Sequence, residues 1–243
     1  MFKIAKQKIE NTKIQQDPFP FLFIRNLISK KDLKELNKVL PNYDAIINDE
    51  ILYQSKSKSK KTILPKSKSY KKLNSYKEFR NINNIFKKLK PTIVKKFEKH
   101  INQYVKKNIS VNSLKYHSSY SVMKKGYLKS PHLDRRDHLI HMIFYPSSDP
   151  SKGGEICIHK MKQKRQRFDV FPEEKNLIIK KKYKVFNNSC IIILNVPWAY
   201  HSVSKYESIK DRKYFYMVYD FPITKSGSKF KNRKAGYNQN QFW

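Results

Sequence analysis

The sequence predicts a mainly β fold with flanking helices (α+β), a jelly roll of two sheets backed by N-terminal helices. Three observations carry that expectation. Before Asn108 the apolar residues recur at helical spacing. After it, seven or eight short β-prone runs follow one another with no helical stretch between them. The 39% hydrophobic and 14% aromatic content, rich in Tyr and Phe, suffices for one well-packed domain in 243 residues.

Residues 1–16 are expected as a mobile or loosely docked arm, and 17–224 as a single domain with helical support over 17–108 and the β core over 109–224. Asp17-Pro18-Phe19-Pro20 leads into a short strand, because each proline holds its predecessor extended. Ser29 is placed to cap a helix over about 30–40, with Leu33, Leu36 and Leu40 on one face and Pro41 as the stop. Between 55 and 72 serine and lysine alternate, with only Ile63 and Leu64 apolar, so an exposed loop is expected; a basic flap on the substrate side is the sharper alternative. Two amphipathic helices follow, one over 76–89 and one opened by Pro91, whose stripe is Ile93, Phe97 and Ile101. Strands are then expected at 111–116, 119–123, 139–145, 155–159, 177–179, 190–195 and 213–219. The tail, 225–243, is basic and poor in aliphatics, and disorder is expected for much of it.

A net charge of +34 from 53 basic and 19 acidic residues points to an acidic or nucleic-acid partner. Codon drift in an AT-rich genome explains the same numbers, since Lys, Asn and Ile abound while glycine numbers only five. No apolar run approaches the roughly 18 residues of a membrane span, and no secretory signal opens the chain, so a soluble cytoplasmic protein is expected. Cys157 and Cys190 sit in apolar runs and read as buried free thiols.

The chemistry concentrates between Ser130 and Arg212. His132 and Asp134 lie two apart and share a face at a strand end, while His201 follows the apolar run Ile191-Ile192-Ile193-Leu194. Two imidazoles and one carboxylate can hold a divalent metal on one face and leave the other open. Taken alone, His-x-Asp is a weak signal. Arg212, eleven residues past His201, offers a planar fork suited to a carboxylate, and alternation turns Lys213 away. His141 has the parity to face the site but reads better as a hydrogen-bonded interior histidine. His138 is expected exposed, and His100, His117 and His159 structural.

The ordered set His132-Leu133-Asp134, Ile143-Phe144-Tyr145, Gly153-Gly154-Glu155, Val196-Pro197 to His201-Ser202-Val203, and Arg212 opening an aromatic strand resembles the iron(II)- and 2-oxoglutarate-dependent dioxygenase superfamily, most closely its prolyl 4-hydroxylase-like branch, over about 119–221. The resemblance implies a distorted double-stranded β-helix in which His132, Asp134 and His201 bind Fe(II). It further implies that Arg212 and Tyr145 hold the distal carboxylate of 2-oxoglutarate, with Tyr120 and Tyr127 lining the pocket. The implied reaction consumes O2 and 2-oxoglutarate, releases succinate and CO2, and hydroxylates an unactivated C–H bond, with ascorbate a candidate accessory. The implied substrate is a protein or peptide side chain, or a small molecule. The alternatives are a nucleic-acid demethylase or hydroxylase, and a non-catalytic module that binds polyanions.

Overall fold

The computed structural model describes residues 1–46, 59–65, 67–105, 109–135, 137–163, 167–221 and 237–238. Two antiparallel sheets face one another. The larger has six strands in the order β1 (Phe21–Arg25), β9 (Ser189–Leu194), β5 (His138–Ser147), β11 (Arg212–Asp220), β3 (Lys115–Met123), β2 (Lys60–Ile63). The smaller runs β4 (Lys129–His132), β10 (His201–Val203), β6 (Ile156–Met161), β8 (Leu177–Tyr183). A two-residue pair, β7 (Arg167–Phe168) with β12 (Tyr237–Asn238), is the described part of the tail; the rest of 225–243 lies outside the described residues. No described helix is long and apolar enough to cross a membrane.

Period-two alternation sorts the larger sheet. On β11 the odd residues Phe215 and Tyr219 face the helices: Phe215 lies 5.3 Å from Phe79, and the Tyr219 hydroxyl donates to the Phe86 carbonyl at 2.6 Å. Their neighbours Arg212, Tyr214 and Tyr216 point between the sheets. Backing the outer face are α4 (Lys77–Lys88) and α5 (Lys90–Tyr104), whose buried stripes include Phe79, Phe86, Ile93 and Phe97. The helix α2 (Lys30–Val39) starts where the cap predicts, the Asp32 amide donating to Ser29 Oγ. Cys157 and Cys190 are buried free thiols.

Three expectations need correction. Residues 1–16 are not a loose arm: α1 (Phe2–Asn11) buries Ala5 and Ile9 fully, Lys96 Nζ donates to the Glu10 carbonyl, and the terminal amine pairs with Asp32. The apolar residues Ala5 and Ile9 lie four apart on a single helix face, which is enough to dock a short helix among so many lysines. The 55–72 segment is no loop where it is described. Its two apolar residues suffice to seat β2 on β3, with Ile63 buried, and α3 (Lys68–Ser75) follows with Leu73 buried and Ser67 as its cap; 55–58 and 66 lie outside the described residues. Tyr120 faces the helices, not the pocket, its hydroxyl donating to the Pro41 carbonyl at 2.8 Å.

Ile9→Ala is expected to lower stability by about 2–4 kcal/mol, the usual cost of emptying a fully buried isoleucine site. Urea denaturation reads it; a shift below about 0.5 kcal/mol would mean that α1 does not belong to the core.

Candidate metal centre

β10 is only three residues long, but it lies between β4 and β6 and sets His201 opposite His132. The two rings are 4.4 Å apart. Asp134 follows β4 directly, and one ligand atom from each of His132, Asp134 and His201 falls within 4.8 Å of the others. His132 Nε2 is 3.9 Å from Asp134 Oδ1, and His201 Nε2 is 3.7 Å from Asp134 Oδ2. The sequence therefore brings together the three residues it singles out.

Both imidazoles are fixed the same way. His132 Nδ1 is 2.9 Å from the Ser130 carbonyl and His201 Nδ1 is 3.0 Å from the Ala199 carbonyl, each two residues back along the chain. A carbonyl can only accept, so both Nδ1 atoms carry a proton, and in the neutral imidazoles both Nε2 atoms present lone pairs to the carboxylate. Three acceptors facing one another in a buried site repel unless a cation lies among them, and a divalent cation fits that donor set. Burial holds the His132 imidazole well below the ordinary histidine range, assisted by His201 and opposed by Asp134. For Asp134, burial alone would raise the carboxyl, but His141, His201, His132 and His138 outweigh it and hold it far below the carboxylate range.

Around this centre lie residues that the sequence reading missed or undervalued. His141, fully buried, places Nδ1 3.0 Å from Asp134 Oδ2 but neither of its ring nitrogens makes a hydrogen bond, and after burial the charge of Asp134 pushes the Tyr216 phenol further upward. The signal for both was parity, 141 with 143 and 145, and 216 with 212 and 214. His138 is buried, contrary to expectation: Nδ1 is 2.5 Å from Asp220 Oδ1, because Asp220 closes β11 beside it. His159 is structural as expected, Nε2 lying 2.7 Å from Ser202 Oγ.

Arg212 is fully buried, and among the described residues no carboxylate pairs with it. Its Nη1 and Nη2 donate to the carbonyls of Gly154 and Gly153, the latter at 3.2 Å, and the guanidinium lies 4.2 Å from the Tyr206 ring centre. Nε has no partner. Gly154 is required here: a Cβ would meet Nη1 at 2.4 Å, and its φ of +72° is strained for any other residue. Tyr145 lies against the same cation, 5.9 Å from ring centre to guanidinium carbon, with its buried hydroxyl unpartnered. Burial pushes that phenol upward, so it keeps its proton. An unpaired guanidinium N–H beside an unpaired hydroxyl, in a water-poor site, suits a ligand carboxylate. Lys213 points away and donates to the Leu40 carbonyl.

No family model matches the chain, and the search of curated proteins finds no match. Among solved structures the chain is similar to a Pseudomonas putida prolyl-4-hydroxylase at 8% identity and TM-score 0.55, over 90% of this chain and 99% of that one. A Phytophthora capsici prolyl 4-hydroxylase matches at 11% and 0.54, over 95% and 72%. A Trichoplax adhaerens prolyl hydroxylase, in complex with a peptide fragment of the hypoxia inducible factor oxygen degradation domain, matches at 10% and 0.51, over 95% of each. The likeness establishes a shared fold, a β-rich double-sheet core with flanking helices.

Burial lowers His141 to about 3, with Asp134 opposing, and His159 to about 4. Both stay neutral when folded but take up a proton near pH 6.5 when unfolded. Stability is therefore complete above about pH 6.5 and falls as the pH drops towards 4. Denaturation midpoints across that range should show the loss, and His159→Gln should flatten part of it; a flat wild-type profile would contradict the neutral buried histidines.

Proposed function

We propose that the protein is an iron(II)- and 2-oxoglutarate-dependent oxygenase that hydroxylates an unactivated C–H bond, in the manner of prolyl hydroxylases. One observation carries the reading: a two-histidine, one-carboxylate donor set with both Nε2 lone pairs turned inward, in the same interior as a buried arginine that has no carboxylate of its own. The shared fold supports it.

In this reading His132, Asp134 and His201 are the iron ligands, and Arg212 with the Tyr145 hydroxyl takes the distal carboxylate of 2-oxoglutarate. Bound iron supplies the dioxygen chemistry, while 2-oxoglutarate gives up two electrons as it loses CO2 and becomes succinate. The chain's own work is positioning. The Ser130 and Ala199 carbonyls stop the imidazoles from turning, and the buried His141 packs against the Asp134 carboxylate beside His201. The apolar walls keep water from the site, which strengthens the Arg212 contact. The described residues of 17–221 form the oxygenase domain together with α1, which packs on it.

The test is succinate release from 2-oxoglutarate by anaerobically iron-loaded protein on exposure to oxygen. His132→Ala should abolish both release and tight iron binding. Arg212→Ala should raise the KM for 2-oxoglutarate roughly ten- to a hundred-fold, the worth of a charge-assisted bond to a buried group. Protein that binds neither iron nor 2-oxoglutarate would refute the reading and favour a binding module on this fold.

A further inference from the structure

Two lysines stand apart from the rest. Lys60, at the start of β2, pairs with Met123, the same residue that Arg212 pairs with from the other side. It therefore shares their inward face, and its Nζ lies over the rings of Tyr214 at 5.4 Å and Tyr127 at 6.0 Å. Lys129, two residues beyond Tyr127 and three before His132, places its Nζ 5.4 Å from the ring centre of Phe171. Both are half-buried, and among the described residues neither has a carboxylate or hydrogen-bond partner. Each ammonium rests on aromatic rings alone, a weak substitute for an anion. After burial, the Lys60 charge lowers the Lys129 pKa, and Asp134 opposes it.

The charges of the centre itself are balanced under the proposed function. Asp134, a divalent ion, the two carboxylates of 2-oxoglutarate and Arg212 cancel, so these two ammonium groups are surplus in the mouth of the site. A surplus of charge at a half-buried position calls for the opposite charge on whatever enters.

Topology favours a polypeptide over a nucleic acid as the source of that charge. β2 ends the larger sheet and β4 ends the smaller, and among the described residues no strand pairs with the outer edge of either, although just past β4 the Leu133 amide donates to the Val170 carbonyl. An extended chain can add to such an edge through its own amides. The adjoining cavity of about 390 Å³, between Phe171 and Tyr200, carries Asp169 and Glu173, with Lys175 paired to Glu173 at 3.0 Å. The Asp169 carboxylate there would disfavour a continuous phosphate backbone but tolerate a peptide whose acidic side chains lie at the two lysines.

Resting on the oxygenase reading, we infer that Lys60 and Lys129 form an anion-recognition pair at the mouth of the site, and that the substrate is a polypeptide with a carboxylate side chain close to the residue oxidised. Fluorescence anisotropy at physiological ionic strength tests it, using the full chain loaded with Mn(II). The probes are a labelled peptide with glutamates flanking one proline, its glutamine counterpart, and a labelled oligothymidylate. Wild type should prefer the glutamate peptide, and Lys60→Gln/Lys129→Gln should weaken it by roughly tenfold or more. Lys87→Gln/Lys88→Gln, which removes the same charge from the exposed side of α4, should change it less than about twofold. Equal weakening in both variants, no preference for glutamate, or a mouth-dependent preference for the oligonucleotide would each overturn the proposal. Succinate release is read separately: glutamate preference without succinate refutes the oxygenase reading and leaves the anion pair standing, and the converse refutes only the pair.

Discussion

The pairing of β10 with β4 is the constraint on which the site depends. It sets His201 opposite His132, and because side chains alternate, a slip of one residue would turn an imidazole out of the interior and put its chain neighbour in its place. The register is held from the far side as well, where His201, Ser202 and Val203 oppose Ile158, Cys157 and Ile156 of β6. An irregularity between His201 and Val203 on the β4 side lets two strands of unequal path meet at the histidines. So short a strand cannot be stable by itself. It exists because both neighbours pair with it, and its side chains converge on a carboxylate that repels their lone pairs until a cation joins them.

A second constraint ties Arg212 to that pairing. Burying a guanidinium without a counter-ion is costly, and here carbonyl dipoles and an aromatic face offset part of the cost. The carbonyls belong to Gly153 and Gly154, whose positive φ aims them at the cation. The same turn is stitched to the segment joining β10 and β11: the Gly154 amide donates to the Lys205 carbonyl at 3.0 Å and the Glu207 amide to the Lys152 carbonyl at 2.8 Å. The Gly126 amide donates to the Tyr206 carbonyl at 2.8 Å. The distance along the chain from His201 to Arg212 is therefore spanned by a connection anchored at both glycine turns, and the two halves of the site are positioned by one piece of backbone.

Much of this was legible in the sequence because it is written in local signals. The Ser29 cap, the stripe through Phe97 and the strand at Ile191–Leu194 follow from period or cap, whereas the grouping of His132, Asp134, His201 and Arg212 came from a family resemblance, because His-x-Asp alone is a weak signal. What was not legible rests on long-range pairing. Lys60–Ile63 looks unfit for a strand alone and becomes one because β3 offers an edge. His138 sits in a charged stretch and is buried only because Asp220, 82 residues on, meets it. Residues 1–16 looked too polar to dock, yet Ala5 and Ile9 need only one complementary groove beside α5.

Charge separates into two questions that the composition alone merges. Lysines such as Lys87 and Lys88 are solvated on α4, and Lys38 is spanned by its own helix neighbour Glu35; drift in base composition accounts for residues of that kind, since a solvated lysine costs little wherever it falls. Lys129 is different in kind, because burial and the neighbouring Lys60 charge lower its pKa while Asp134 only partly opposes them. Drift places charge where it is free, and selection is needed where it is costly. The total of +34 therefore says little about partners, whereas two half-buried lysines resting on aromatic rings near His132 say more.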